Sequence, residues 1–124
     1  MNKMIIVKQV SYAFLQIGVF NDRAESIPTC SQFRMDSSMY NSFAEFIKKN
    51  VQYANHIRDT YHDDKESKSK YDQGKVDTFM CHGLAPIVLI SVPAFLEFRL
   101  VIGTDVLTVN ATDLEEISNK LLEF

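Results

Sequence analysis

The sequence contains few of the residues that build the common nucleotide-binding loops. Among its 124 residues there are four glycines, and no two of them lie close together in the chain. The P-loop and the dinucleotide-binding fingerprint each need several glycines within a few residues, so that backbone amides can approach a phosphate. The glycine spacing therefore excludes these two kinds of nucleotide site.

Cysteine is equally scarce. The chain has two, Cys30 and Cys81, and their spacing matches no zinc-binding or redox motif. Both stand beside hydrophobic residues, which favours reduced, partly buried thiols in a cytosolic protein. A disulfide between them stays open, since it depends on whether strand pairing brings the two residues together.

Clusters of basic residues are also missing. The chain carries 13 lysines and arginines against 16 aspartates and glutamates, for a net charge of −3. No group of basic residues stands out above the acidic residues around it. This balance argues against a dedicated nucleic-acid-binding protein.

The chain has no uninterrupted hydrophobic run of membrane-spanning length. Residues 84–102 are long enough to cross a bilayer, but Pro86, Pro93, Glu97 and Arg99 lie among them. Two prolines and two charges are costly inside a membrane helix. The N-terminal region also lacks a signal-peptide cleavage pattern. We therefore expect no membrane segment and a cytoplasmic location.

Residues 84–109 instead predict two or three consecutive strands. Residues 87–92 form a short, mostly branched apolar run between two prolines, which is typical of a strand buried on both faces. Residues 95–102 then alternate between apolar and polar positions. A turn signal follows at Gly103, and residues 106–109 return as a short strand.

The N-terminal third predicts a hairpin followed by a long helix. Residues 4–20 form a long extended segment, and residues 26–35 alternate as a strand that Pro28 places at a sheet edge. Apolar residues then recur at three- and four-residue spacing over residues 38–61, where Glu45 and Lys49 have the spacing of a helical ion pair.

The remaining elements complete an α+β fold. Residues 76–81 predict a further strand, and Thr112 with Glu115 forms a capping box at the start of a C-terminal helix. We predict a single α+β domain over residues 1–124. Its single antiparallel sheet, in the order ββα-βββ(β)-α, carries one long and one C-terminal helix packed on it. A polar, mobile loop is expected around residues 62–75.

The polar segment of residues 58–75 has two interpretations. It carries five basic and five acidic residues, as expected for a frayed helix end and a solvated surface loop. Its two tyrosines among charges are also typical of a binding loop. On the second interpretation the partner-binding residues are Tyr61, Asp63, Asp64, Glu66, Tyr71 and Asp72.

No catalytic or metal-binding motif emerges. Cys81 and His82 are adjacent, and adjacent residues on a strand point to opposite faces, so a nucleophile–base pair there would need a turn at Gly83. His56, Asp59, His62, Asp63 and Asp64 cluster near the end of the long helix without the paired-histidine spacing of helical zinc sites. We expect neither an enzyme nor a resident metal or cofactor.

Elimination leaves a protein-binding function as the first hypothesis. An acidic surface with tyrosines suits a partner protein with a basic site, as in an inhibitor or an immunity or antitoxin-like protein. The alternative is a small-ligand sensor, because nine phenylalanines and five methionines could line an apolar pocket. A homodimer is compatible with both, through an edge strand such as residues 26–35.

Overall fold

The computed structural model describes residues 3–21, 29–80, 86–95 and 97–124. In this part of the chain there are seven strands and three α-helices, with short 3₁₀ turns at Ser37–Met39 and Pro93–Phe95. The strands are β1 (Lys3–Ser11), β2 (Phe14–Asn21), β3 (Thr29–Arg34), β4 (Lys75–Phe79), β5 (Ile87–Val92), β6 (Glu97–Ile102) and β7 (Asp105–Val109). The helices are α1 (Tyr40–Asp59), α2 (Lys65–Gln73) and α3 (Ala111–Leu122).

The fold is α+β, as predicted, but the strands form two antiparallel sheets rather than one. The first sheet has the order β1-β2-β3 and the second the order β4-β5-β6-β7. Strand β3 contacts β7, and Ser31 Oγ donates a hydrogen bond to Asp105 Oδ2 over 2.9 Å. The two sheets therefore meet through side chains, without a backbone ladder between the described residues of these strands. Alternating apolar residues predict strands, but they do not specify which strand edges pair.

The predicted extended segment of residues 4–20 is itself a hairpin. The chain turns at Tyr12 and Ala13, and β1 pairs antiparallel with β2 in a register that pairs Ile5 with Val19 and Val7 with Ile17. A register shift between Gln9 and Ser11 marks a bulge next to the turn. Strand β3 then pairs with β2 and is the last strand of this sheet, at an edge as predicted.

The helices α1 and α3 pack against each other and against the sheets. α3 contacts β1, whereas α1 contacts β4 and β5. No described helix is both long enough and apolar enough to cross a membrane. In β5 the residues Ile87 and Leu89 are buried, while Val88 and Ile90 on the other face are half-buried. The sequence predicts burial on both faces of this strand, and the structure shows full burial on one face and partial burial on the other.

Phe43 of α1 lies at the centre of the core. Its ring is 6.4 Å from that of Phe33 in β3 and 5.3 Å from that of Phe79 in β4, measured between centroids. Phe46, one turn further along α1, also packs on Phe79 at 5.5 Å. Helix α1 thus contributes aromatic side chains that contact both sheets. Buried aromatic side chains contribute strongly to the stability of such a core because each removes a large apolar area from water.

Two local helix features differ from the sequence prediction. Lys49 forms its ion pair with Asp77 of β4, with Nζ 3.4 Å from Oδ2, rather than with Glu45. The capping box of α3 is made by Asn110 and Asp113, two positions before the predicted pair. Asn110 Oδ1 accepts from the Asp113 amide at 2.8 Å, and Asp113 Oδ2 accepts from the Asn110 amide at 3.0 Å.

A polar junction fixes α1 to strand β4. Asn50 is fully buried, and its Nδ2 donates to the Phe46 carbonyl at 2.9 Å and to Asp77 Oδ2 at 3.0 Å. The Thr78 amide donates to Asp77 Oδ1 at 3.0 Å. The Asp77 carboxylate is therefore held by a side chain of α1 and by its own strand. Each such bond to a charged group is worth more than a neutral one.

These contacts lower the pKa of Asp77. Burial alone would raise that pKa, but the hydrogen bonds from Asn50 and from the Thr78 amide, with the charge of Lys49, outweigh it. A carboxyl group with a lowered pKa in the folded state stabilises the fold above its unfolded pKa of about 4. That contribution is lost as the pH falls through the folded-state pKa.

We predict that Asp77→Asn lowers the free energy of unfolding at pH 7 by about 1–3 kcal/mol, because hydrogen bonds to a charged acceptor are lost. The variant should also lose less stability than the wild type between about pH 4 and pH 2. Urea unfolding at a series of pH values measures both effects. Asp59→Asn, at an exposed position, is the control and should change stability by less than about 0.5 kcal/mol. Equal acid sensitivity of wild type and Asp77→Asn would contradict this assignment.

Candidate protein-binding surface

The segment that the sequence predicts to bind a partner begins at the C-terminal end of α1. The Thr60 amide donates to the His56 carbonyl at 3.0 Å, and Thr60 Oγ1 donates to the same carbonyl at 2.7 Å. Both bonds use a carbonyl at the end of the helix, where backbone acceptors lack partners within the helix. The chain leaves α1 at this point and reaches α2 after a short connection.

Helix α2 occupies most of the segment that the sequence predicts as a polar loop around residues 62–75. Asp64 caps it by accepting from the Ser67 amide at 2.8 Å, and the His62 amide donates to Ser67 Oγ at 2.8 Å. Lys70 Nζ lies 3.6 Å from Glu66 Oε1 one turn away. The loop assignment is therefore wrong over Lys65–Gln73. The N-cap aspartate and the i,i+4 charge pair are the sequence signals that indicate this helix.

Gly74 connects α2 to β4 in a conformation that requires glycine. Its φ is +74°, and a Cβ at this position would lie 2.3 Å from the Ser91 carbonyl oxygen of β5. Left-handed backbone is strained for residues with a side chain. The close approach to Ser91 fixes the end of α2 against the second sheet.

The two tyrosines of the segment are in contact. The rings of Tyr61 and Tyr71 are 4.7 Å apart between centroids, at an interplanar angle of 47°. Tyr61 precedes α2 and is 38% exposed, whereas Tyr71 lies within α2 and is half-buried. Packing of one ring on the other restricts both side chains while leaving part of Tyr61 accessible to a partner.

Three carboxylates act on Tyr61 through their negative charge. Partial desolvation raises the pKa of Tyr61, and the negative charges of Asp63 and Asp72, the neighbouring Tyr71 and the charge of Asp64 raise it further. Asp63, Asp64 and Asp72 are all exposed. The structure therefore brings together five of the six predicted partner-binding residues. We call these five the acidic tyrosine surface: Tyr61, Asp63, Asp64, Tyr71 and Asp72.

Glu66 takes a different position from the other five. It pairs with Lys70 and lines, with Asp64, a shallow cavity of about 230 Å³ that also contains His56 and His62. Within the described residues, no three His, Cys, Asp or Glu side chains form a group that could hold a metal ion. The cavity is lined by these two imidazoles and two carboxylates together with Lys70.

Most residues of the candidate thiol site lie outside the part of the chain that the structure describes. Cys81, His82 and Gly83 lie in the undescribed residues 81–85, and so does one partner of a Cys30–Cys81 disulfide. Cys30 is half-buried in β3, and Gln16 Nε2 donates to its Sγ at 2.9 Å.

The sequence does not reveal a groove between α1 and β4, which we call the α1–β4 groove. Its volume is about 870 Å³, and its apolar lining comes from Phe46, Phe79 and Met80. Lys48 and Glu45 lie on its helical wall. No sequence pattern indicates this groove, because it forms only where a face of α1 meets the end of β4.

Comparisons of the chain with protein-family models, with curated proteins and with solved structures find no match.

We predict that Tyr61 ionises above the ordinary tyrosine pKa of about 10. Asp63→Asn combined with Asp72→Asn should lower this pKa towards the ordinary value, since two negative charges that oppose the phenolate are removed. NMR titration of ¹³Cζ-labelled tyrosine, assigned with Tyr61→Phe, follows the group directly. Asp59→Asn is the matched control. An identical Tyr61 midpoint in the wild type and the double variant would show that these carboxylates do not face the ring.

Proposed function

We propose that the chain is a small protein-binding module and that the acidic tyrosine surface binds a partner protein with a basic site. The observation that carries this proposal is the Tyr61–Tyr71 contact at 4.7 Å, surrounded by the carboxylates that raise the pKa of Tyr61. An aromatic centre with a charged rim is a common composition of protein interfaces.

Helix α2 is held at both ends, so we expect the acidic tyrosine surface to lose little conformational entropy when it binds a partner. Asp64 and Ser67 hold the start of α2, and Gly74 holds its end against β5. Tyrosine offers a large contact area with few rotatable bonds, so little side-chain entropy is lost when it is buried. A surface fixed at both ends of a helix therefore retains more of its interaction energy as affinity.

The charge of the surface favours a cationic partner. Asp63, Asp64 and Asp72 are exposed around the tyrosines, and the whole chain has a net charge of −3. Complementary charge accelerates association and disfavours acidic competitors. A protein whose own site binds phosphates or nucleic acid carries such basic residues, and covering that site would neutralise it. We place the chain among inhibitors or immunity and antitoxin-like proteins acting in the cytoplasm.

Affinity capture from the native source, with bound proteins identified by mass spectrometry, tests the proposal. We expect one stoichiometric partner with a basic site, whose association rate falls as salt is added. Tyr61→Ala combined with Asp63→Asn and Asp72→Asn should weaken binding of the purified partner at least tenfold, equivalent to about 1.4 kcal/mol.

The control variant removes the same kinds of groups elsewhere. Tyr12→Ala combined with Glu115→Gln and Glu116→Gln changes one exposed tyrosine and two exposed carboxylates away from the surface. It should bind the partner as the wild type does. Equal weakening by both triple variants would show that net charge, and not this surface, governs binding. Unchanged affinity of the first variant would refute the assigned surface.

A further inference from the structure

The three strands of the first sheet contain no carboxylate. Their charged residues, Lys3, Lys8 and Arg34, are all cations, although the whole chain has 16 acidic residues and a net charge of −3. Charge of one sign gathered on one element gives it a local potential that differs from that of the whole protein, and this potential acts over a Debye length of about 8 Å. The first sheet therefore attracts acidic groups.

Lys8 and Arg34 lie on the face of this sheet that points away from the core. Lys8 pairs with Gln16 and Arg34 pairs with Phe14 across the strands, whereas Leu15, between Phe14 and Gln16, is fully buried. Successive side chains of a strand point to opposite faces, so Lys8, Gln16, Phe14 and Arg34 share the outward face. Lys8 and Arg34 are exposed, and neither forms an ion pair with another described residue.

Bulky side chains are exposed next to these cations, at the turn of the β1–β2 hairpin. Tyr12 is 88% exposed, Val10 42% and Phe14 40%. Phe14 is the direct cross-strand neighbour of Arg34 and the diagonal neighbour of Lys8, so a cation lies on each side of it across the sheet. Exposed apolar side chains that cluster among charged residues mark sites of interaction. We call these five residues the basic hairpin surface: Lys8, Val10, Tyr12, Phe14 and Arg34.

The framework of this surface is fixed by the chain itself. The Met35 amide donates to the Ala13 carbonyl over 2.8 Å, which ties the turn to the segment just before α1. In the middle of the outward face the ring of Phe20 lies over Gly18, since a Cβ at Gly18 would be 2.5 Å from Phe20 Cε2. This ring closes the middle of the face, so the accessible apolar residues next to the cations are those of the turn.

We infer that the basic hairpin surface binds a short acidic segment of another protein. Strands lie about 4.8 Å apart and rise about 3.4 Å per residue, which places the Cα atoms of Lys8 and Arg34 roughly 12 Å apart. An extended segment covers that distance in about four residues, and its residues i, i+2 and i+4 point to the same side. Carboxylates at i and i+4 then pair with the two cations, while an apolar residue at i+2 packs on Phe14 and Tyr12.

The number of charges favours a short segment over an extended polyanion. Two carboxylates balance Lys8 and Arg34, whereas a nucleic acid or an anionic membrane presents many negative charges, which the acidic residues elsewhere on this chain would also face. With a net charge of −3, the chain as a whole is repelled by such a polyanion. A contact of this size lies at the low end of the range for specific interfaces, below about 1,200 Å². We therefore expect reversible binding with a dissociation constant in the micromolar range.

The basic hairpin surface is separate from the acidic tyrosine surface. Its turn adjoins the start of α1, whereas Tyr61 follows the end of that helix. The 20 residues of α1 span about 30 Å. The inference therefore does not rest on the proposed function.

Selection from a library of random linear dodecapeptides displayed on phage tests the inference. With the wild-type chain as bait at about 50 mM salt, where charge attraction is less screened, we expect enrichment of acidic peptides with an apolar residue between two carboxylates. A bait carrying Lys8→Glu and Arg34→Glu should lose these peptides. The control bait, Lys65→Glu with Arg99→Glu, has the same net charge, changes two exposed cations elsewhere and should retain them. Basic peptides bound by the acidic tyrosine surface should be retained by all three baits, so a failure of the proposed function is seen separately.

Fluorescence polarisation of one labelled, enriched acidic peptide measures its affinity. Lys8→Glu combined with Arg34→Glu should weaken binding at least about tenfold, because two attractive charges become repulsive, and Tyr12→Ala should weaken it about three- to tenfold. Tyr61→Ala is the matched control for Tyr12→Ala and should bind the peptide as the wild type does. Circular dichroism confirms that each variant is folded. Addition of the peptide should shift the ¹⁵N amide signals around Lys8, Tyr12 and Phe14.

Four results would overturn the inference. The selection could enrich no acidic peptides, or the control bait Lys65→Glu with Arg99→Glu could lose them as well. Oligodeoxythymidine or phosphatidylserine vesicles could bind more tightly than the peptide through Lys8 and Arg34, which would assign a polyanion instead. Finally, the wild type could self-associate in sedimentation velocity and lose this association on Lys8→Glu with Arg34→Glu, which would make a second copy of the chain the occupant.

Discussion

The packing of Phe43 between the two sheets is the constraint on which the rest of the structure depends. Phe33 of the first sheet and Phe79 of the second both contact its ring. The described residues of β3 and β7 share no backbone ladder, so burial of this aromatic side chain, with the Ser31–Asp105 hydrogen bond, holds the sheets together. Truncating a buried phenylalanine to alanine typically costs about 3–5 kcal/mol, a large fraction of the stability of a small domain.

Helix α1 links strand β4 to the acidic tyrosine surface proposed above. Asn50 holds β4 through Asp77 at the middle of the helix, while the end of the helix leads directly to Tyr61 and α2. The polar junction holds the Asp77 carboxylate of β4 against α1.

The elements with strong apolar periodicity were predictable from the sequence. The long helix, the strands of residues 87–109 and the C-terminal helix each bury a continuous apolar stripe or face. Helix α2 was not predicted because it has no buried residue among its mostly charged side chains; its formation depends on the Asp64 cap and on Gly74. The division into two sheets depends on edge pairing, which periodicity does not encode. The sequence places Tyr61 and Tyr71 only in the same predicted loop. Their contact could not be predicted, because the two rings meet through the packing of α2.

Amide hydrogen exchange measured by NMR tests most directly whether α1 unites the two sheets in one core. Ile17 in β2, Ile47 in α1 and Leu100 in β6 are fully buried. If α1 unites the sheets, their amides exchange with the same opening free energy, equal to that of global unfolding by urea. A markedly lower opening free energy for Ile17 than for Leu100 would show that the first sheet opens independently of α1 and the second sheet, and would contradict a single shared core.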